Sequence, residues 1–321
     1  MLAGQAPDHP PVSFWHHFTP QQRTGQAAVD AHVAHVERFN LDFLKVMNDH
    51  HYARGDVAIV QTVDDLKRIS PLPGDAEEFA GQLEVLRQLR QRFGNDVLMT
   101  TTLFSPWTVL RLMTAPPSDK HGPPKLDPAL AQDARDETIS RLLAEDRSAV
   151  KAAVAALGRT LANFARACVE AGADGVFLSV RDDWVDTKRN GQGTYDEIAR
   201  DADLTVLAAV ADARFNWLHI CGRPVNFKRF AEYPHVAVLN WADRAAGPSI
   251  AYARDRVQPA IAGGVDNLGT LPLGTPEQVT AEVRDAIRQA KNRPIIITPG
   301  CTYDPTAVPE ANLYAMISAC R

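Results

Sequence analysis

Several features that would place a protein in a membrane, outside the cell or on nucleic acid are missing from this sequence. Only four of its 321 residues are cysteine, too few for a disulfide framework, and this favours a reducing, cytoplasmic location. No segment approaches the roughly 18 consecutive apolar residues that span a bilayer, and Met1–Pro11 lacks the apolar centre of a signal peptide. The net charge is −5 and no basic cluster stands out, so neither a membrane nor a nucleic acid is an expected partner.

A glycine-rich dinucleotide-binding fingerprint is also missing, which disfavours a doubly wound open sheet. Eight short apolar segments alternate for the most part with helical patterns, as parallel strands covered on both faces do. Eight such units in about 300 residues predict an α/β fold, a single (β/α)8 TIM barrel with an N-terminal extension, in one domain over residues 1–321. The proline-rich stretch Ala115–Pro128 predicts a surface loop. The eight strand candidates lie near Val12, Leu44, Leu98, Phe177, Leu218, Val238, Ile261 and Ile296.

One strand candidate carries a pair of metal-ligating side chains. In the stretch Asn216–Gly222, apolar Leu218 and Ile220 alternate with His219 and Cys221. Alternate residues of a strand point to the same side, so His219 and Cys221 can share one target. Cys301 follows the last apolar run of the chain. One imidazole nitrogen and two thiolates suit zinc, and three protein ligands leave the open fourth position of a catalytic site.

Chance and core packing are the alternatives to a metal site at these residues. A His-x-Cys pair is short, and cysteine is among the most buried residue types, so two of the four cysteines would serve as core filler. Cys168, on an apolar helical face, fits that description, and Cys320, one residue from the C-terminus, is taken as incidental. His219, Cys221 and Cys301 instead fall at or just past the ends of the fifth and eighth predicted strands, where barrel enzymes place their catalytic groups. This placement favours a metal site made of the three residues.

Four segments give the chain a resemblance to a known family. They are Ala171-Gly172-Ala173-Asp174-Gly175, His219-Ile220-Cys221-Gly222, Ala262-Gly263-Gly264-Val265-Asp266, and Pro299-Gly300-Cys301 with Pro309-Glu310-Ala311-Asn312. With them, the chain resembles the uroporphyrinogen decarboxylase superfamily and, within it, the zinc-dependent methyltransferase branch. The resemblance implies a (β/α)8 barrel enzyme that carries methyl groups from methylated corrinoid proteins to thiols, typically coenzyme M. Relatives in that branch open epoxides with the same thiol.

The sequence departs from the decarboxylases of that superfamily. Where they have an arginine-rich stretch that holds the substrate's carboxylates, this chain has Phe14-Trp15-His16-His17-Phe18. A histidine is expected in the decarboxylases where Cys301 stands. The Asp-x-His-x-x-Gly signature of corrinoid-binding domains is also absent. Decarboxylation is therefore not expected, and a corrinoid, if one is used, belongs to a separate protein.

Together with the three metal ligands, the resemblance implies an enzyme that activates a small-molecule thiol at zinc. Zinc deprotonates a coordinated thiol, and the thiolate is the nucleophile. It would attack a methyl group, first of all one carried by a methylcorrinoid protein, although folate remains open as the carrier. The acceptor is also open between coenzyme M, glutathione and homocysteine. Two alternative enzymes would use the same zinc site, a thiol-epoxide transferase and a carbon-sulfur lyase. A further alternative is a non-catalytic protein that only binds its partner.

Two residues at other strand ends are candidates for catalysis. Asp182 follows the fourth predicted strand and would ligate zinc at rest or orient a thiol, with an ion pair to Arg181 as the structural alternative. His17 ends the first predicted strand and would contact substrate, with a surface role as its alternative. We predict Asp182 and His17 as catalytic residues beside the three metal ligands.

Overall fold

The computed structural model describes residues 7–115 and 128–321, with side chains from residue 134 onward in the second range. Within these residues, seven strands form one parallel sheet in which each strand pairs with the next along the chain. This order, with helices between the strands, is that of a TIM-like barrel. The strands are β1 (Phe43–Val46), β2 (Leu98–Phe104), β3 (Gly175–Val180), β4 (Trp217–Ile220), β5 (Val238–Trp241), β6 (Ala260–Val265) and β7 (Ile295–Pro299).

Helices connect the strands and cover one face of the sheet. Among the described residues, none of them combines the length and apolar character needed to cross a membrane. A π-helical segment, Tyr195–Ala199, precedes α7. The α-helices are α1 (Gly25–Phe39), α2 (Val63–Arg68), α3 (Glu77–Phe93), α4 (Pro106–Met113), α5 (Pro128–Glu145), α6 (Arg147–Glu170), α7 (Arg200–Ala208), α8 (Phe227–Phe230), α9 (Ile250–Ala253), α10 (Thr270–Leu273), α11 (Pro276–Ala290) and α12 (Glu310–Cys320).

The eighth strand predicted near Val12 is reduced to one bridge. Val12 makes an isolated parallel bridge with Ile297 of β7. On the other side, the carbonyl of Val12 accepts a hydrogen bond from the amide of Asp42 at 3.2 Å, just before β1. The segment therefore lies between β7 and β1, but Pro10 and Pro11 precede Val12 and have no N–H to extend a ladder. The count of eight strands is not confirmed.

Three further predictions have different outcomes. The N-terminal extension is not confirmed. The proline-rich loop predicted over residues 115–128 lies outside the described residues except at its two ends. The assignment of residues 1–321 to one domain stays a prediction.

The strand residues alternate between two hydrophobic clusters. Val176 and Leu178 belong to the large cluster that includes the helices, whereas Phe177 between them belongs to a smaller one. The smaller cluster also contains Trp217 of β4 and Phe43 of β1 and lies on the inner face of the sheet. Because alternate residues share a face, that inner face continues from Trp217 to His219 at the end of β4.

Helix α11 packs against β6 and β7 and so supports the segment that leads to Cys301. The helix begins with a capping box, in which the Thr275 hydroxyl accepts from the amide of Gln278 and the Gln278 side chain accepts from the amide of Thr275. Gly264 in β6 has φ +114°, and a Cβ there would lie 2.7 Å from the Cβ of Ala286. Glycine at 264 thus permits the close approach of α11 to the sheet.

Candidate metal centre

Two strands bring the three predicted ligands together at the C-terminal edge of the sheet. His219 is in β4, Cys221 directly follows that strand, and Cys301 lies two residues beyond the end of β7. One ligand atom from each residue lies within 4.8 Å of the others. In the part of the chain that the structure describes, this is the one group of three or more His, Cys, Asp or Glu side chains close enough to share a metal ion.

Asn240 of the neighbouring strand β5 sets the orientation of the His219 ring. The two residues are paired in the β4–β5 register, and Nδ1 of His219 donates to Oδ1 of Asn240 at 2.6 Å. The Asn240 amide donates to the carbonyl of Ala262 at 3.0 Å and to Oγ1 of Thr298 at 3.3 Å. Since these acceptors fix the amide group, Oδ1 faces His219, and the ring proton belongs on Nδ1.

The other nitrogen of His219 is left for a ligand. Its Nε2 is buried and has no hydrogen-bond partner among the described residues, although leaving such an atom unpaired costs about 1–3 kcal/mol. With the proton on Nδ1, Nε2 presents a lone pair, which is the form of histidine that binds metals. The residues present therefore fit a metal ion, and a set of one nitrogen and two sulfurs fits zinc.

The two cysteines share a proton when no metal is bound. The Cys221 thiol donates to the Cys301 sulfur, and this hydrogen bond lowers the pKa of Cys301 to about 6. The same bond, together with burial, raises the pKa of Cys221 to about 12. The hydrogen bond thus favours the thiolate at Cys301 and the thiol at Cys221, and a divalent cation would displace the remaining thiol proton.

Arg181 places a positive charge beside the cluster. Its Nη1 lies 4.0 Å from Sγ of Cys221, and its guanidinium carbon is 3.3 Å from the centroid of the Trp184 ring. The guanidinium pairs with Asp183, with Nε 2.6 Å from Oδ1. The charge of Arg181 is therefore largely neutralised by its own ion pair.

His17 pairs with a buried aspartate that follows β1. Its Nδ1 is 2.7 Å from Oδ1 of Asp49, whose side chain is 2% exposed, whereas the His17 side chain is 36% exposed. The preceding residue, His16, packs its ring 5.2 Å from that of Tyr303. Because Tyr303 comes two residues after Cys301, the segment that carries His17 lies against the segment that carries a predicted metal ligand.

Asp182 lies outside the three-residue cluster. Its Oδ2 accepts hydrogen bonds from the Asn226 amide at 2.8 Å and from Arg229, and burial raises its pKa. The ion pair with Arg181 that we considered as the structural alternative does not form. Adjacent residues of an extended segment point to opposite sides, and Arg181 pairs with Asp183, two positions away. The catalytic role of Asp182 stays a prediction.

Sequence reasoning did not assign a role to two buried side chains near the cluster. In the sequence, Asn240 is a polar residue at a strand end and Lys45 lies within an apolar strand. The feature that could have indicated a role for Lys45 is its position in a buried strand, because all four residues of β1 are buried and one of them is a lysine. For Asn240 the signal is its position one strand away from His219.

Replacing Asn240 by leucine is expected to weaken metal binding about 10- to 100-fold, the usual cost of losing a hydrogen-bond partner behind a ligating histidine. The His219 ring would lose the acceptor that fixes its proton on Nδ1. Competition with a chromogenic chelator measures the change. Asn216→Leu is the matched control, because Asn216 is equally buried but bonds to the backbone at the opposite end of β4. Unchanged metal affinity in Asn240→Leu would contradict the assigned geometry.

Comparisons with known proteins place the chain among related sequences and folds. The model of the uroporphyrinogen decarboxylase (URO-D) family matches residues 47–321. A search of curated proteins finds no match. A methyltransferase from Methanosarcina mazei has 18% sequence identity, covers 99% of this chain and 95% of its own, and superposes with a TM-score of 0.66.

A second solved structure with the same fold is a B12-independent methionine synthase from Shewanella sp. W3-18-1 in complex with selenomethionine. It has 12% identity and a TM-score of 0.53, with coverage of 97% of this chain and 96% of its own. At these identities the two likenesses show a shared fold. The TIM-like architecture thus agrees between the sheet topology and both comparisons.

Proposed function

The chain belongs to the uroporphyrinogen decarboxylase family, and from this premise we propose that it is a zinc-dependent methyltransferase with a thiol as the methyl acceptor. The observation that carries the proposal is the approach of one histidine nitrogen and two cysteine sulfurs to within 4.8 Å of one another. The names of two proteins with the same fold, a methyltransferase and a methionine synthase, support methyl transfer.

Decarboxylation of a porphyrinogen is not the proposed reaction. A substrate with many carboxylates needs several cations, and the segment Phe14–Phe18 contains no arginine or lysine. Phe14 and Trp15 are instead 1% and 3% exposed and pack in the hydrophobic clusters. These two residues are therefore part of the core and do not bind carboxylates.

His219, Cys221 and Cys301 would hold the zinc ion. Zinc bound there would lower the pKa of a thiol in its fourth position and hold the resulting thiolate. With a neutral imidazole and two thiolates, the protein ligands cancel the charge of the ion. A fourth, anionic sulfur would therefore keep nucleophilic character.

His17 is proposed as the base that takes the proton of the thiol. The buried carboxylate of Asp49 accepts from Nδ1 of His17 and orients its ring, and a neutral imidazole is a base of suitable strength near neutral pH. In the overall reaction the S–H bond breaks and its proton goes to the imidazole of His17. The sulfur forms a bond to the methyl carbon, the bond between that carbon and its carrier breaks, and the carrier keeps the electron pair.

Asp182 is proposed to act through the segment that follows β3. It anchors this segment to Asn226 and Arg229, and the segment carries Arg181, 4.0 Å from Cys221. Asp182 would thus help to orient the thiol substrate without contacting the metal.

A methylcorrinoid protein is the proposed methyl donor and partner. The chain has no corrinoid-binding signature, so the corrinoid would be carried by a separate protein. One structural neighbour is named as B12-independent, and a folate donor is therefore included in the test.

The test is a transfer assay with zinc-loaded protein. Methylcobinamide and methyltetrahydrofolate serve as donors, each with coenzyme M, homocysteine or glutathione as acceptor, and mass spectrometry detects the methyl thioether. We expect thioether formation with at least one pair and none with the Cys301→Ser variant, whose fold is checked by circular dichroism. No thioether from any pair with the zinc-loaded wild type would count against methyl transfer to these thiols.

A further inference from the structure

A buried lysine lies on the inner face of the sheet beneath the metal cluster. Lys45 is 4% exposed, and its Nζ is 3.2 Å from Sδ of Met47. The same nitrogen lies 4.5 Å from the centroid of the Phe177 ring and 5.3 Å from that of Trp15. Lysine is almost never fully buried unless it is paired, yet no carboxylate of the described residues forms an ion pair with it. The aromatic faces and the sulfur are favourable contacts for a cation.

The surroundings of Lys45 connect it to the metal ligands. The Phe177 ring beside Nζ also stacks on His219, with ring centroids 5.3 Å apart and an interplanar angle of 24°. Burial lowers the pKa of Lys45 to about 7, and the strongest influence in the opposite direction is the negative charge of Cys301. Negative charge at the cluster thus favours the ammonium form.

The net charge of the metal centre indicates how the ammonium group of Lys45 would affect the fourth ligand. A zinc ion with a neutral His219 and the thiolates of Cys221 and Cys301 has no net charge. Adding a substrate thiolate brings the centre to a net charge of −1 in a largely buried site, where unpaired charge is costly. A nearby cation offsets that cost, but it offers nothing to a neutral fourth ligand.

We propose that Lys45 is a positioning residue that favours an anionic sulfur over a neutral ligand in the fourth position of the metal centre. This inference rests on the proposed function, because it requires that a metal and a thiol bind at the cluster. Arg181 does not supply the same charge, since its guanidinium is already paired with Asp183. Lys45 has no ion-pair partner among the described residues, although the charge of Asp49 also acts on it, so its own charge can act on the substrate sulfur.

The test compares an anionic and a neutral ligand on the cobalt-loaded protein. Cobalt(II) replaces zinc as a coloured probe, and 2-mercaptoethanol or imidazole is titrated while the cobalt spectrum is recorded. We expect Lys45→Met to bind cobalt like the wild type and to bind imidazole equally well. Its affinity for 2-mercaptoethanol should fall about 10- to 100-fold, the order of magnitude expected from losing one nearby charge in a partly buried site.

Lys67→Met is the matched control, because the Lys67 side chain is 59% exposed and pairs with Asp64 on the surface of α2. It should leave both affinities unchanged. Lys45→Arg keeps the charge and is expected to recover part of the preference for the thiol. If Lys45→Met does not bind cobalt, Lys45→Arg is used for the test in its place. A cobalt-loaded Lys45→Arg protein that shows no preference for the thiol over imidazole would overturn the inference.

Two other outcomes distinguish this inference from the proposed function. Equal affinities of wild type and Lys45→Met for 2-mercaptoethanol, or an equal loss for both ligands, would overturn the role of Lys45 alone. A wild-type protein that binds no cobalt, or binds cobalt but no thiol, would overturn the proposed function and this inference together.

Discussion

The Cys221→Ala variant is expected to purify with almost no zinc, whereas the wild type holds about one ion per chain, as a site with three protein ligands predicts. Cys221 and Cys301 together supply the two sulfur ligands, and the loss of one leaves an imidazole and a single thiolate. Elemental analysis of both purified proteins, expressed with zinc in the medium, measures the difference. Methyl transfer should disappear with the metal.

A second cysteine variant shows whether a loss of zinc is specific to the metal site or follows from the removal of any thiol. Cys320 lies in α12, is 7% exposed and is not part of the cluster, so Cys320→Ala should keep its zinc. Cys168 is a poorer control, because it is fully buried in α6 and its truncation would leave a cavity. If Cys221→Ala retains zinc at the level of Cys320→Ala, the ion is bound elsewhere and the proposed centre is wrong.

Local sequence was enough to predict that two of the three residues of this cluster, His219 and Cys221, lie together. The alternation around His219 and Cys221 predicts that both side chains share a side of a strand, and the structure places His219 in β4 and Cys221 just beyond it. The approach of Cys301 is different, because 80 residues of chain separate it from Cys221. Only the assignment of a barrel, with all strand ends at one edge, predicted that these cysteines meet.

Long-range pairing could not be predicted from the sequence. Asp182 follows a strand, as expected, but its partner Arg229 lies 47 residues further along the chain, and nothing in the local pattern selects it over Arg181. The pairing of His17 with Asp49 depends in the same way on how the first segment lies against β1. At Val12 the local pattern predicts more regular structure than is found. The apolar residues around it predict a strand, but the prolines before it limit the ladder to one bridge.

The roles of the buried polar residues are the least predictable from the hydrophobic pattern of the sequence. A lysine within an apolar strand contradicts the pattern of a covered strand, and such conflicts are expected at functional sites, where local rules are broken for a purpose. Lys45 and Asn240 are both inner-face residues next to the cluster. Their roles depend on groups of other strands, so they become visible only when the sheet is assembled.

Replacing His17 by asparagine is expected to slow methyl transfer about 100- to 10,000-fold while the zinc content stays that of the wild type, because general base catalysis has an effect of this size. Asparagine retains a polar side chain but cannot accept the thiol proton. Single-turnover rates with saturating donor and thiol, measured beside the zinc content, separate this loss from a loss of metal. Asp49→Asn should slow transfer less, since His17 would remain but lose its orienting carboxylate.

The chain offers a matched control in a second histidine–aspartate pair. Nε2 of His9 is 3.2 Å from Oδ1 of Asp42, which directly precedes β1, whereas Asp49 follows the same strand. The two pairs therefore lie at opposite ends of β1, and His9→Asn should transfer methyl groups at the wild-type rate. If His17 and Asp49 act as one unit, the double variant His17→Asn with Asp49→Asn should be no slower than His17→Asn alone. Losses that multiply in the double variant would show that the two residues act independently, and a wild-type rate in His17→Asn would remove His17 from the mechanism.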